Sequence, residues 1–287
     1  MPGTLFVVST PIGNLEDVTL RALRVLREAA VIAAEDTRRT RGLLTHFDIR
    51  TPLLSLHEHN ERARLPALLA RLRQGQAVAL VTDAGTPLVS DPGALLVQQA
   101  REAGFRVEAV PGASAVLAAL VSSGLTGNGF TFAGFVPSRA GARRAWLEAI
   151  AAEPRPVVFF EAPHRIRATL AELLASAGGD RRVAVARELT KLHEEVSTGP
   201  LSEVLESLAE PRGEFTVVLA PAATPQLPDV SDQALWEEFR SLTEGDGLSR
   251  RQAVTTVARR HQRPARDVYA ALERARPRSD DRNATSP

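Results

Sequence analysis

The chain has 287 residues, is 44% apolar, contains no cysteine and carries 35 basic against 34 acidic side chains, a formal charge of +1. That length suits two domains or a large one with an appendage, and the composition is that of a soluble globular protein. Lack of cysteine excludes disulfides and thiolate metal sites, no apolar run reaches membrane-span length, and the N-terminus lacks the basic and apolar regions of a signal peptide; the expectation is a cytoplasmic protein.

Thr4 to Ser9 reads as a first strand, followed by the tight loop Thr10-Pro11-Ile12-Gly13-Asn14. Asp17 is the expected cap of a helix that turns Val18, Leu23 and Leu26 inward. Val31 to Ala34 is a second strand and runs into Glu35-Asp36-Thr37-Arg38-Arg39-Thr40-Arg41. A helix through Leu43, Leu44 and Phe47 follows, then a third strand, Leu53 to Leu56, ending in His57-Glu58-His59-Asn60. That histidine pair has no further ligands beside it, so a metal site is not expected. A helix over 62–73 leads to Gly75 and the strand Ala77 to Val81. Phe105 to Val110 is a fifth strand, followed by Pro111-Gly112-Ala113-Ser114-Ala115 and an Ala-rich helix. Such βα alternation predicts a doubly wound parallel sheet over about the first 120 residues.

A second alternating block follows. Strands are expected at 130–135, 156–160, 182–187 and 213–219, with one helix around Trp146, Leu147 and Ile150 and another opened by Pro163 and stopped at Gly178-Gly179. Residues 188–195 read as a loop. The Pro-rich stretch 220–230 is a semi-rigid linker. Beyond it the patterns are helical only. Ser249 is the expected cap of a helix bearing Ala253, Val254, Val257 and Ala258, and Val268, Tyr269 and Leu272 belong to another. Residues 248–278 hold nine arginines against Asp267 and Glu273, a footprint for an anionic partner such as nucleic acid, with a solvated helical face as the alternative. The expected divisions are an N-terminal α/β domain over 1–116, a second α/β domain over 117–222, a helical, helix-turn-helix-like segment over 231–276 and a disordered tail over 277–287.

The centre of the chain is Val81-Thr82-Asp83-Ala84-Gly85-Thr86-Pro87-Leu88-Val89-Ser90-Asp91-Pro92-Gly93. It lies at the carboxyl end of a buried strand, where open α/β sheets bind ligands. Asp91 reads as a helix cap with Pro92 in the first turn. Gly85 lets a ligand approach the backbone. An ordinary βα connection is the alternative, but this loop is longer and richer in Asp, Thr and Pro than a connection needs. No Gly-x-Gly-x-x-Gly or Walker-type loop follows the first strand, which argues against nicotinamide, flavin and nucleoside triphosphate, and no Gly-x-Ser-x-Gly elbow is present.

Six motifs, in order across residues 4–219, carry a family resemblance: Val7 to Leu15, Ala34 to Arg38, Val81 to Pro87, Val110 to Ala115, Phe159 to Arg165 and Gly213 to Thr216. The chain resembles the tetrapyrrole methylase superfamily, and within it the RNA-modifying branch, the 16S rRNA (cytidine-2′-O)-methyltransferases of the ribosomal small-subunit methyltransferase I family. The resemblance implies two α/β domains binding S-adenosylmethionine in the cleft between them. It implies a homodimer that methylates a cytidine ribose in the decoding region of 16S rRNA, alone or in the small ribosomal subunit. No metal, membrane or DNA partner is expected. Carried over by motif, Pro11, Asp83, Ala84, Gly85, Val89, Ser114, Ala115, Phe160, Leu189 and Phe215 line the methyl donor. Arg38, Arg39 and Arg41, with Arg250, Arg251, Arg259 and Arg260 in the appendage, are the expected RNA contacts.

Lys191 is the only lysine of the chain. It is the expected proton acceptor if burial lowers its pKa, or a cationic anchor if not, and Glu194, His193 and Glu161 are rival bases. Two other readings keep the same motifs: a methyltransferase acting on a tetrapyrrole or another small acceptor, and a non-catalytic RNA-binding assembly factor.

Overall fold

A computed structural model describes residues 2–208, 212–222, 230–261 and 263–276. The chain divides into two compact units, the first ending at Ala222. The expected tail 277–287 and most of the linker lie outside the described residues.

The first unit opens with β1 (Thr4–Val8), α1 (Leu20–Glu28), β2 (Val31–Ala34), α2 (Thr37–His46), β3 (Leu53–Ser55), α3 (Glu61–Arg73), β4 (Val78–Val81), α4 (Ala94–Glu102) and β5 (Arg106–Val110). The strands form one parallel sheet in the order β3-β2-β4-β1-β5. Both faces are covered, so β2 and β4 bury every residue, which is why they read as unbroken apolar runs. Alternate residues serve opposite faces: Val8, Ile32 and Ala79 pack with α1, while Leu5, Val31 and Leu80 pack with α3 and α4.

Two expected helix starts shift. Asp17 lies in a short 3₁₀ turn, and Thr19 caps α1 by accepting from the Ala22 N–H at 3.1 Å. Asp91 does not cap α4 either. Gly93 occupies that position at φ +111°, so α4 begins later and the Asp91 carboxylate is free for another role.

After β5 the chain enters α5 (Ala115–Ser123), capped by Ser114. This helix leaves the first sheet. Val116, Ala119 and Leu120 pack against Val158, Ala184, Ala186 and Val218 of a second sheet, and Ile12 joins them from the loop after β1. The second half comprises β6 (Thr131–Phe135), α6 (Ala140–Ala152), β7 (Val157–Glu161), α7 (Ile166–Ala177), β8 (Arg182–Arg187), β9 (Glu195–Pro200), α8 (Leu201–Ser207) and β10 (Phe215–Leu219). Their order is β6-β7-β10-β8-β9. Only β6 and β7 are parallel; β10 runs antiparallel to β7 and β8, and β9 antiparallel to β8. The edge strand β9, rich in Ser, Thr, Gly and Pro, is one the apolar pattern does not reveal.

The second unit packs α9 (Asp232–Arg240), a π turn (Ser241–Gly245), α10 (Arg250–Arg260) and α11 (Ala265–Ala275) around Leu235, Phe239, Val257, Val268 and Leu272. Ser249 caps α10 in a full capping box with Gln252.

Candidate functional site

The loops leaving the carboxyl ends of β1, β4 and β5 are tied together by side chains and backbone. Thr10 and Gly85 exchange both backbone hydrogen bonds, at 2.8 and 3.0 Å. Thr10 Oγ1 donates to the Thr82 carbonyl at 3.2 Å, Ser9 and Thr86 share a hydroxyl contact of 2.9 Å, and Thr86 donates to the Ala113 carbonyl at 3.2 Å. Gly85 has φ +85°, and a Cβ there would meet Ile12 Cγ2 at 3.3 Å rather than project into open space. Gly13 is constrained by a close approach: a Cβ would lie 2.5 Å from Lys191 Cγ and 2.9 Å from the Leu189 carbonyl. The β1 loop of the first sheet thus docks directly on the β8 loop of the second.

Between these loops and the second sheet lies a cavity of about 360 Å³. One wall is Asp83, Ala84, Gly85 and Val89 from the β4 loop, with Ser114 and Ala115 at the start of α5. The other is Phe160 of β7, Leu189 after β8 and Phe215 of β10. Nine of the ten residues expected around the donor therefore share one space. Pro11 does not; it lines an adjoining recess of about 260 Å³, together with Gly13, Arg39, Lys191 and Glu214.

Strained backbone concentrates here. Outside glycine, positive φ occurs among the described residues at Asp48, Leu88, Ser90, Glu188 and Thr190. Leu88 and Ser90 flank Val89 in the β4 loop; Glu188 and Thr190 flank Leu189 in the β8 loop. Such conformations cost about 1–3 kcal/mol each and persist where the surroundings enforce them, often at ligand sites.

The expected catalytic residues separate. Lys191 Nζ donates to Glu188 at 2.9 Å and to Glu214 at 3.1 Å. Burial works to lower its pKa, but the bonds to Glu188 and Glu214 outweigh burial and leave it raised. Lys191 is therefore a cation, the second of its two expected forms. Glu194 is exposed, lines neither space and accepts from the Thr190 N–H. Glu161 lines the cavity but is buried and neutralised: Arg165 lies at 3.5 Å, Arg143 at 3.7 Å, and the Ala162 N–H and Thr169 hydroxyl donate to it.

Arg39 lines both spaces, with Nε 3.6 Å from Asp83. Asp36 caps α2 and binds Arg38 at 2.7 Å; the Arg38 hydrogen bond holds the Asp36 pKa down at about 2. Arg41 is exposed. In the helical unit Arg250 pairs with Glu273 at 3.6 Å and lies over the Phe239 ring, and Arg260 pairs with Glu238 at 2.8 Å. Arg251 and Arg259 are exposed.

Sequence reasoning passed over a polar cluster on the cavity wall: Glu35 at the end of β2, Thr82 after β4, and Asp91. Thr82 donates to Glu35 at 2.9 Å. Burial, then repulsion from Glu35 and Asp83, pushes Asp91 up to about 6 even though Thr82 opposes the shift. The signal was the acid-rich loop itself, hidden because Asp91 also suits a helix start. Glu35 and Asp91 have no Arg or Lys ion pair among the described residues, so this wall suits a positively charged ligand, while Phe160, Phe215 and Leu189 suit a flat apolar one.

The family model for Tetrapyrrole (Corrin/Porphyrin) Methylases matches residues 4–205. A ribosomal RNA small subunit methyltransferase I of Synechocystis sp. is 46% identical over 269 residues, covering 93% of this chain and 96% of the relative. The protein of that name from Pseudomonas aeruginosa is 50% identical over 228 residues, covering 78% and 81%. Among solved structures, the uroporphyrin-III C-methyltransferase of Thermus thermophilus complexed with S-adenosyl homocysteine shares the fold at TM-score 0.55 and 22% identity, covering 76% of this chain and 97% of that one. With the motif loops gathered around one cavity and near full-length relatives at this identity, the chain belongs to the ribosomal RNA small subunit methyltransferase I family of the tetrapyrrole methylases.

Proposed function

We propose that the chain binds S-adenosylmethionine in the 360 Å³ cavity and methylates the 2′-oxygen of a cytidine ribose in the decoding region of 16S rRNA. The carrying observation is the similarity along almost the whole chain, helical unit included, to a ribosomal RNA small subunit methyltransferase. When bound, S-adenosylmethionine supplies an electrophilic methyl group on a sulfonium centre. The uncompensated wall of Glu35 and Asp91 matches that positive charge. The aromatic and aliphatic wall matches a purine.

In this reading Asp83, Ala84, Gly85, Val89, Ser114, Ala115, Phe160, Leu189 and Phe215 form the donor shell, and Pro11 supports it from the adjoining recess. Holding donor and acceptor in line is the main contribution of such a shell. Arg39 and Lys191 give the recess a positive rim for the RNA backbone, with Arg38 and Arg41 extending it along α2. Arg251 and Arg259 make sequence-independent phosphate contacts from the helical unit, and Arg250 and Arg260, each paired with a carboxylate, support that surface. The protein works in the cytoplasm as a homodimer, on 16S rRNA or the small subunit that contains it.

Two measurements test this. Calorimetry should show donor binding, and labelled methyl should pass to small ribosomal subunits at one cytidine ribose. Donor binding without transfer to RNA, and with transfer to a tetrapyrrole, would replace the acceptor.

A further inference from the structure

Resting on that reading, we propose that Asp91 is the catalytic base that takes the proton of the ribose hydroxyl during methyl transfer. The cavity lining holds no histidine, lysine, tyrosine or cysteine. A side-chain base must therefore come from its carboxylates: Glu35, Asp83, Asp91, Glu161 and Glu214.

Three of these are committed. Glu161 is 3% exposed and held by Arg143, Arg165, Thr169 and its neighbour's amide. Glu214 binds Lys191 at 3.1 Å. Asp83 accepts from the Asp36 N–H at 2.9 Å and faces Arg39 at 3.6 Å. In each of the three, a cation or a donor already occupies the carboxylate that would have to take the proton. Glu35 and Asp91 remain, and they share one hydroxyl proton. Thr82 donates it to Glu35 at 2.9 Å, and Asp91 has no ion pair of its own among the described residues.

The groups acting on Asp91 are Glu35, just after β2, and Thr82 and Asp83 from the β4 loop, and Arg39 of α2 lines the same cavity 3.6 Å from Asp83. Glu161 and Glu214 line the far side. Half-burial beside Glu35 and Asp83 places its pKa at about 6, close to the ideal for a base working near neutrality. The backbone on its N-terminal side is left-handed at Leu88 and at Ser90, so the loop presents the carboxylate through enforced geometry.

The step balances. The ribose oxygen bonds to the methyl carbon as the carbon–sulfur bond breaks. The bonding pair stays on sulfur, which becomes neutral, and the hydroxyl proton passes to an Asp91 carboxylate oxygen. Asp91 later returns that proton to water.

The experiment compares wild type, Asp91→Asn and Asp91→Glu by three readouts: donor affinity, single-turnover methylation of small subunits against pH, and carboxyl carbon NMR of the donor-free protein. In wild type one aspartate should titrate near pH 6, and Asp91→Asn should lack that resonance. The wild-type rate should rise with pH and level off at or below that value, because a bound sulfonium favours the carboxylate. At saturating donor, Asp91→Asn should lose about 10²–10⁴-fold in single-turnover rate, the usual worth of a general base, beyond the weaker donor affinity that follows from removing a charge facing the sulfonium. It should also lose the acid-limb break. Asp91→Glu should recover part of the rate and the break. An Asp91→Asn rate within a few-fold of wild type, an unchanged pH break in that variant, or better rescue by Asn than by Glu would each overturn the role. Wild type that binds donor but methylates no RNA would instead overturn the functional reading, and the role with it.

Discussion

The β4 loop and the β8 loop face one cavity and share a backbone device, yet they treat charge in opposite ways. Each places two non-glycine residues in the left-handed region, one on either side of an apolar lining residue: Leu88 and Ser90 around Val89, Glu188 and Thr190 around Leu189. In the β8 loop the charges are tied to partners. Glu188, Lys191 and Glu214 form a closed triad, and Glu194 is tied to the Thr190 amide. The Lys191 bond is the largest cause holding the Glu188 pKa down. In the β4 region Asp91 and Glu35 share a threonine and nothing cationic. Matched charge fixes shape; unmatched charge beside a cavity keeps the capacity to bind a cation or move a proton.

The largest way to break this contrast is to deform the β4 loop itself. Gly85→Val forces a β-branched residue into φ +85° and crowds Ile12 at 3.3 Å. The strain costs about 1–3 kcal/mol. Since each 1.4 kcal/mol is about tenfold in affinity, donor binding should weaken by about ten- to a hundredfold in calorimetry. The route is backbone distortion, because the added side chain points toward Ile12. Unchanged affinity would place the donor away from this loop.

Next in size is a stability effect at Asp91. Its folded pKa is raised, so the folded state binds the extra proton and stability falls as pH rises from about 4 to about 6. Removing the charge should reverse that. Asp91→Asn should be more stable than wild type at pH 7 by about 1–2 kcal/mol, after discounting for partial exposure. Denaturant unfolding at pH 4 and pH 7 reads both values, and the gap should close at pH 4. A variant that loses activity while gaining stability is the signature of unmatched charge kept for function; a destabilised Asp91→Asn at pH 7 would make the carboxylate structural.

Lys191 should behave in the contrary sense. Its pKa is raised, so its triad contributes fully below the unfolded value of about 10.4 and is lost only as pH climbs through the higher folded value. Lys191→Met should cost about 0.5–1 kcal/mol at pH 8, as expected for a half-exposed ion network. Lys191→Arg should retain most of that stability and a rate within a few-fold of wild type. A rate that climbs with the ionisation of Lys191 would return it to the chemistry.

How far the sequence disclosed all this follows from what each feature depends on. Buried parallel strands such as Val31–Ala34 and Val78–Val81 are continuous apolar runs, so they were legible. The direction of β10 was not, because an apolar run carries no sense of parallel or antiparallel pairing. The edge strand β9 has too little apolar alternation to show. At the site, nine of the ten residues nominated from the motif loops line one cavity, since short loops hold their residues together wherever the sheet carries them. Charge pairing is different in kind. Glu214 meets Lys191 across 23 positions, and Glu161 meets Arg143 across helix α6, contacts that only the fold creates. Lys191 stood out as a lone lysine and Asp91 blended into a helix start, so the sequence pointed at the matched charge and past the unmatched one.

The smallest expected effect carries the same contrast into the helical unit. Arg250 and Arg260 are committed there, to Glu273 with the Phe239 ring and to Glu238. Arg251 and Arg259 project from α10 two turns apart, about 12 Å along the axis, with no ion pair among the described residues. If unmatched charge marks function, these two should contact phosphate while Arg250 and Arg260 mainly support the fold. Each phosphate contact on single-stranded RNA adds about 0.7 to the slope of log affinity against log salt. Replacing both Arg251 and Arg259 with alanine should therefore flatten the slope by about 1.4, leaving donor affinity and unfolding unchanged. The paired substitution of Arg250 and Arg260 should leave the slope nearly intact and cost about 0.5–2 kcal/mol in unfolding of this unit, two exposed pairs' worth. Equal slope changes in the two double variants would show that RNA competes these arginines away from their carboxylates, and that pairing in the free protein does not mark which charges bind.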